Sequence, residues 1–138
     1  MSKIDLSKPV LVTGANGYVA SWLVKQLLDE GFTVHAAVRN PDKKEKIAHL
    51  EEAANAAKGS IKFFATDLLV AGSYKEAMEG CSLVYHTASP FTIEVKDPQK
   101  ELIDPAVNGT ANVLNTAKEN PSVQRVVVTS SCAAIYTD

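Results

Sequence analysis

A doubly wound parallel α/β sheet is the fold class that this sequence of 138 residues predicts, and three observations predict it. Short apolar, β-branched runs recur five times along the chain. Stretches of helical period separate them, and a glycine-rich turn joins the first run to the first helical stretch. Continuous apolar runs are what parallel strands look like when helices cover both faces of a sheet. Composition agrees: 46% apolar and 22% charged residues describe an ordinary globular domain. A chain of this length buries roughly two-thirds of the surface its unfolded form exposes, enough for one core and not for two lobes.

The first strand is residues 9–13, Pro9-Val10-Leu11-Val12-Thr13, and it stops at Gly14. From Gly17 the period lengthens, placing Val19, Trp22, Leu23 and Leu27 on one helical face before a stop at Gly31. Residues 32–38 read as the second strand. Pro41 and a charged stretch then lead into a solvated second helix that carries Ile47, Leu50 and Ala54. Residues 61–65 make a third strand, a short helix covers about 73–79, and residues 82–87 make a fourth strand. The longest helix runs from about 99 to 119, with Leu102, Ala106, Thr110, Val113 and Ala117 on one face and Pro105 and Gly109 as irregularities near its start. Residues 123–129 are the fifth strand. Right-handed crossovers between such units give a Rossmann-like sheet of order 3-2-1-4-5. Ligands of that architecture bind beyond the carboxyl ends of the strands, where the order reverses between the first and fourth.

Charge and targeting features narrow the function classes. Fourteen Lys+Arg against sixteen Asp+Glu leave a net charge of -2, without the basic stripe that nucleic acid or an anionic membrane would need. Apolar runs are far shorter than the roughly 20 residues that span a bilayer, and residues 1–9 carry charges where a signal peptide needs an apolar core. A cytoplasmic location is the expectation. Cys81 and Cys132 have neither metal-ligand nor disulfide-framework spacing, and His35, His49 and His86 form no paired ligand motif. No metal is expected, and these residues read as structural.

The chemistry gathers at the strand ends. Thr13-Gly14-Ala15-Asn16-Gly17-Tyr18-Val19-Ala20 opens from the first strand onto a helix. There Gly14 permits a tight turn, Gly17 lets a diphosphate approach the backbone, and the first helical N–H groups face the anion. A plain strand-to-helix turn is the competing reading. At the end of the second strand stands Val38-Arg39-Asn40-Pro41, with no acid for a free ribose. Arg39 is therefore the candidate reader of a 2′-phosphate, with Lys46 behind it, while most of the neighbouring lysines fit a solvated helix face. Asp67-Leu68 follows the third strand, suited to an adenine amino group and ring, with a helix-capping aspartate as the rival. Thr87-Ala88-Ser89-Pro90 follows the fourth, small where a dinucleotide passes close to backbone.

Taken in order with Asp104 through Val113 and Val128-Thr129-Ser130-Ser131, these motifs resemble the extended short-chain dehydrogenases/reductases. The nearest branch is the group of dihydroflavonol 4-reductase, cinnamoyl-CoA reductase and related NADPH-dependent carbonyl reductases. The resemblance implies that Gly14, Asn16, Gly17, Tyr18 and Val19 form the diphosphate loop of an NADP(H) site. It likewise gives Arg39 and Lys46 the 2′-phosphate, Asp67 and Leu68 the adenine, and Thr87, Ala88 and Ser89 the path toward nicotinamide. It assigns Ser131, with Ser130 as fallback, the serine that hydrogen-bonds a ketone, aldehyde or thioester-type carbonyl; a turn-capping serine is the alternative. Ala20 departs mildly from the usual last glycine.

The tyrosine and lysine that complete this chemistry in the family do not occur in the expected relation. Tyr136 is too near Ser131, and Tyr18 belongs to the loop. The expectation is an incomplete NAD(P)-binding domain over residues 1–138, without its substrate lobe, that binds cofactor and does not catalyse. It would be a truncated product or a naturally short relative. The fifth strand would then be an apolar sheet edge that invites self-association. Competing readings are a non-catalytic nucleotide-binding module, an NAD-dependent sugar-nucleotide epimerase or dehydratase, which Arg39 disfavours, and an adenosyl-binding methyltransferase. Phe91 reads as a packed loop aromatic.

Overall fold

Strand β1 (Val10–Thr13) is buried along its whole length because it has a strand on each side and helices on both faces. The computed structural model describes residues 4–90 and 95–135. The other strands are β2 (Thr33–Val38), β3 (Ser60–Ala65), β4 (Leu83–His86) and β5 (Arg125–Val128), all parallel, in the order β3-β2-β1-β4-β5. That is the order the alternation of elements predicts. Register brings the carboxyl ends together: Thr13 lies opposite Ala37 on one side and His86 on the other, and His86 opposite Val128.

Side-chain alternation along β1 divides the core in two. Val10 and Val12 point to one face and meet Val24 and Leu28 of α1 (Tyr18–Asp29) and Ile47 and Leu50 of α2 (Lys44–Ala56). Leu11 points to the other and meets Met78 of the single-turn α3 (Lys75–Met78) and Val113 of α4 (Asp104–Glu119). Burying one such aliphatic side chain is worth roughly 1.5–3 kcal/mol, so these two clusters hold the strand ends at a common level.

Several expectations need correction. The buried face of α1 is Ala20, Val24, Leu27 and Leu28, whereas Val19 is 65% and Trp22 58% exposed. Two overlapping apolar stripes exist on this helix, and the one containing the small Ala20 packs because a helix laid on a sheet needs a small residue at close approach. Gly109 does not interrupt α4. Pro105 sits where a preceding helical turn passes into α4; the Asp104 N–H bonds the Gln99 carbonyl five residues back, and the N–H that Pro105 lacks is left out of the ladder at that change of pitch, so the irregularity expected near the start of the helix is present there. The predicted start of this helix is instead a π-helical turn at Gln99–Ile103. β5 is shorter than residues 123–129, and among the described residues it pairs with β4 alone, leaving Val127 40% and Val128 45% exposed.

The structural reading of Cys81 and His35 holds. His35 Nδ1 lies 2.8 Å from the Ala77 carbonyl and Cys81 Sγ 3.4 Å from that nitrogen. Burial pushes the Cys81 thiol up to about 12 and lowers the His35 imidazole, so both are neutral packing groups.

Candidate functional site

A groove of about 880 Å³ runs across the carboxyl ends of the strands. The turn after β1 forms its floor. Gly14 there has φ +62, and a Cβ on it would stand 3.0 Å from the Ala88 Cα. Only glycine satisfies both the left-handed backbone and the close approach of the β4 turn. Gly17 begins α1 without any side-chain cap, and the first turn carries no acid. The leading N–H groups of α1 are therefore left for an external acceptor, which is what a diphosphate requires.

At the end of β2, Arg39, Lys43 and Lys46 all line the groove. Lys44 pairs with Glu51 at 3.1 Å, but Arg39, Lys43 and Lys46 have no carboxylate partner among the described residues. Asn40 keeps them together by closing the turn, its Oδ1 accepting from the Asp42 N–H at 2.9 Å. Lys43 is a groove residue that sequence reasoning left on the solvated face; it immediately precedes α2, so helical periodicity gave no signal for it.

The turn after β3 forms the next wall. Asp67 does not cap a helix: its Oδ1 accepts from the Leu69 N–H at 2.9 Å, closing a local turn. Leu68 packs onto Gly109 of α4 so tightly that a Cβ at Gly109 would lie 2.4 Å from the Leu68 Cγ. Asn112 of α4 fastens the same turn, donating to the carbonyls of Leu68 at 3.1 Å and Val70 at 2.8 Å and accepting from the Gly72 N–H at 3.2 Å. Tyr74 closes this end of the groove, buried, and burial raises its hydroxyl above the usual range, with the nearby Asp67 carboxylate adding to the rise. Asn112 and Tyr74 were missed, since nothing local marks a residue that acts across the sheet.

The small residues after β4 are bound to β1. Thr13 Oγ1 accepts from the N–H groups of Thr87 at 3.1 Å and Ala88 at 3.0 Å, and the Thr87 hydroxyl donates to the Thr13 carbonyl. Thr87, Ala88 and Ser89 thus form the wall opposite Gly14 and Asn16.

Not every candidate is brought to this groove. The side chains of Tyr18 and Val19 point away from the groove, and Tyr18, 84% exposed, lines a separate pocket of about 560 Å³ with Trp22 and His49; their backbone N–H groups are nonetheless the first two of α1. Ser131 and Ser130 are exposed beyond β5, and Ser131 Oγ accepts from the Ala133 N–H at 3.2 Å, capping a 3₁₀ turn at Cys132–Ala134. Phe91 and Tyr136 lie outside the described residues. Among the described residues no cluster of metal ligands occurs, and no helix is long and apolar enough to cross a membrane.

The uncapped helix N-terminus, the glycine approach and three cations without a carboxylate partner among the described residues fit a phosphate-rich dinucleotide. Comparison with known proteins adds to this. The model of the NAD dependent epimerase/dehydratase family matches residues 10–138. A cinnamoyl-CoA reductase of Medicago truncatula is 51% identical over 135 residues, which cover 98% of this chain and 41% of that protein. A dihydroflavonol 4-reductase of Dianthus caryophyllus is 40% identical, covering 100% of this chain and 38% of its own length. Among solved structures, yeast methylglyoxal/isovaleraldehyde reductase Gre2 complexed with NADPH superposes with a TM-score of 0.75 at 36% identity, over 91% of this chain and 38% of that one. The chain spans about two-fifths of the length of these relatives.

Proposed function

From the premise that the chain belongs to the NAD dependent epimerase/dehydratase family, we propose that it is the cofactor-binding part of an NADPH-dependent oxidoreductase that reduces a small carbonyl compound. Its relatedness to reductases supports the reaction class. One observation carries the choice of cofactor: Arg39, Lys43 and Lys46 line the groove at the end of β2 without ion-pair partners among the described residues. A dianionic 2′-phosphate satisfies such a cluster, whereas an unmodified ribose does not.

In this reading Gly14, Asn16, Gly17 and the backbone N–H groups of Tyr18 and Val19 take the diphosphate at the N-terminus of α1. Arg39 and Lys46 take the 2′-phosphate, Asp67 and Leu68 the adenine, and Thr87, Ala88 and Ser89 the segment leading to the nicotinamide. The bound cofactor supplies a hydride. Ser131, standing after β5, is proposed to hydrogen-bond the substrate carbonyl, and a cytoplasmic location belongs to the same proposal. The exposed Val127 and Val128 on β5 support self-association of this chain. Gel filtration over a concentration series is expected to show a rising apparent mass, and a constant monomer would remove that part.

The cofactor reading is tested by titrating the chain with NADPH and with NADH, followed by Trp22 fluorescence and calorimetry, and repeating with Arg39→Ala. NADPH is expected to bind more tightly. The substitution should remove roughly 1.5–3 kcal/mol, about ten- to a hundredfold in NADPH affinity, and leave NADH nearly unchanged. Equal affinities in the unaltered chain would overturn the assignment to NADPH.

A further inference from the structure

His86 ends β4, is buried, and stands between β1 and α4. Its Nδ1 lies 2.9 Å from Thr13 Oγ1, and its Nε2 lies 3.4 Å from Thr110 Oγ1. The same Thr13 oxygen accepts the N–H groups of Thr87 and Ala88. A hydroxyl has two lone pairs and one proton. With both lone pairs engaged, the proton of Thr13 has one destination, the Nδ1 of His86. That nitrogen is therefore bare, and the ring carries its proton on Nε2, directed at Thr110. A second ring proton would set an N–H against the Thr13 O–H, and burial independently lowers the tendency of this imidazole to charge.

We propose that His86, as the neutral Nε2–H tautomer, is a positioning residue for the dinucleotide groove. By accepting from Thr13 it fixes that hydroxyl in the orientation that receives the Thr87 and Ala88 N–H groups, and so holds the turn after β4 against Gly14. The consequence reaches the ligand because the Ala88 Cα is the atom a Gly14 Cβ would meet at 3.0 Å. Without an acceptor at Nδ1, the Thr13 hydroxyl turns its proton toward the two N–H groups and repels them, and the wall opposite the diphosphate loop moves. His86 touches no ligand itself. The inference rests on the NADPH reading above.

Three measurements test it on the whole chain: imidazole ¹⁵N shifts, NADPH affinity and thermal midpoint, the last two repeated for His86→Leu and His86→Asn. In asparagine the Oδ1 stands close to where Nδ1 stood and offers the same acceptor, whereas leucine offers none. The expected results are an Nε2–H tautomer in the unaltered chain, NADPH binding weakened about tenfold or more in His86→Leu, and His86→Asn within about threefold of the original. An Nδ1–H or doubly protonated ring overturns the proposal. So does NADPH affinity in His86→Leu equal to that of the unaltered chain, or a loss in His86→Asn as large as in His86→Leu. If His86→Leu does not fold, the tautomer and the asparagine variant still decide. An unaltered chain that binds no NADPH overturns the cofactor reading and this inference together, whereas binding that ignores position 86 overturns the inference alone.

Discussion

Gly14→Ala is expected to lower folding stability by about 2–5 kcal/mol and to remove measurable NADPH affinity in the same molecule. Two effects add. Holding a non-glycine residue at φ +62 costs roughly 1–2 kcal/mol. Forcing a methyl against the Ala88 Cα at 3.0 Å adds overpacking, typically about 1–3 kcal/mol. Ala88 cannot retreat without cost, because its N–H is tied to Thr13 Oγ1 at 3.0 Å and the preceding Thr87 to the same oxygen. Urea denaturation reads the first loss and an NADPH titration the second. Gly17→Ala makes the contrast: its backbone has φ -72, and a Cβ there meets only the Gly14 carbonyl at 3.2 Å. It should keep the denaturation midpoint nearly in place while obstructing the diphosphate. A Gly14→Ala chain with an unchanged midpoint would show that this turn is softer than its geometry implies.

The second large effect is expected from Leu28→Ala, with a loss of about 2–5 kcal/mol. Leu28 is fully buried on the sheet-facing side of α1, in the same cluster as Val10, Val12 and Val34. Its surroundings are poorly placed to collapse into the space, since its own carbonyl anchors the N–H of Gly31 at 3.0 Å and of Gly59 at 2.9 Å. Those backbone bonds survive the substitution, so the loss reports side-chain burial and the cavity alone. Against a total stability that is usually about 5–15 kcal/mol, this is a large share. The urea midpoint should fall with an unchanged slope, and the folded fraction should still bind NADPH as before. A weakened NADPH affinity in folded Leu28→Ala would mean that α1 moves its N-terminus when its far end is loosened.

Much of this architecture was legible because its signals are local. The run Val10-Leu11-Val12-Thr13, the turn at Gly14 and the change to helical period are read within a few residues, and the strand order follows from alternation and handedness alone. Most of the groove was legible for the same reason, since Gly14, Gly17, Arg39, Asp67 and Thr87–Ser89 each follow a strand. The misreadings have one physical origin. Helical period restricts α1 to two apolar stripes but does not choose between them; contact with the sheet chose the stripe of Ala20 and Val24. Asn112, Tyr74 and the bonds of Thr13 act across distances in sequence that no local pattern encodes. Lys43 was read with the solvated face of the second helix, whereas it stands just before α2, where helical period says nothing about direction.

Gly109 and Leu68 belong to different elements, yet the structure couples them. Any side chain at position 109 would occupy the space of the Leu68 isobutyl group, with all three of the atoms it would first meet within 2.8 Å. A larger residue at 109 becomes tolerable when Leu68 turns its side chain aside or is replaced by a smaller one. Side chains at the two positions therefore compete for one space. Because Leu68 also lines the groove, a drift in the middle of α4 is felt as a change in the shape offered to the ligand.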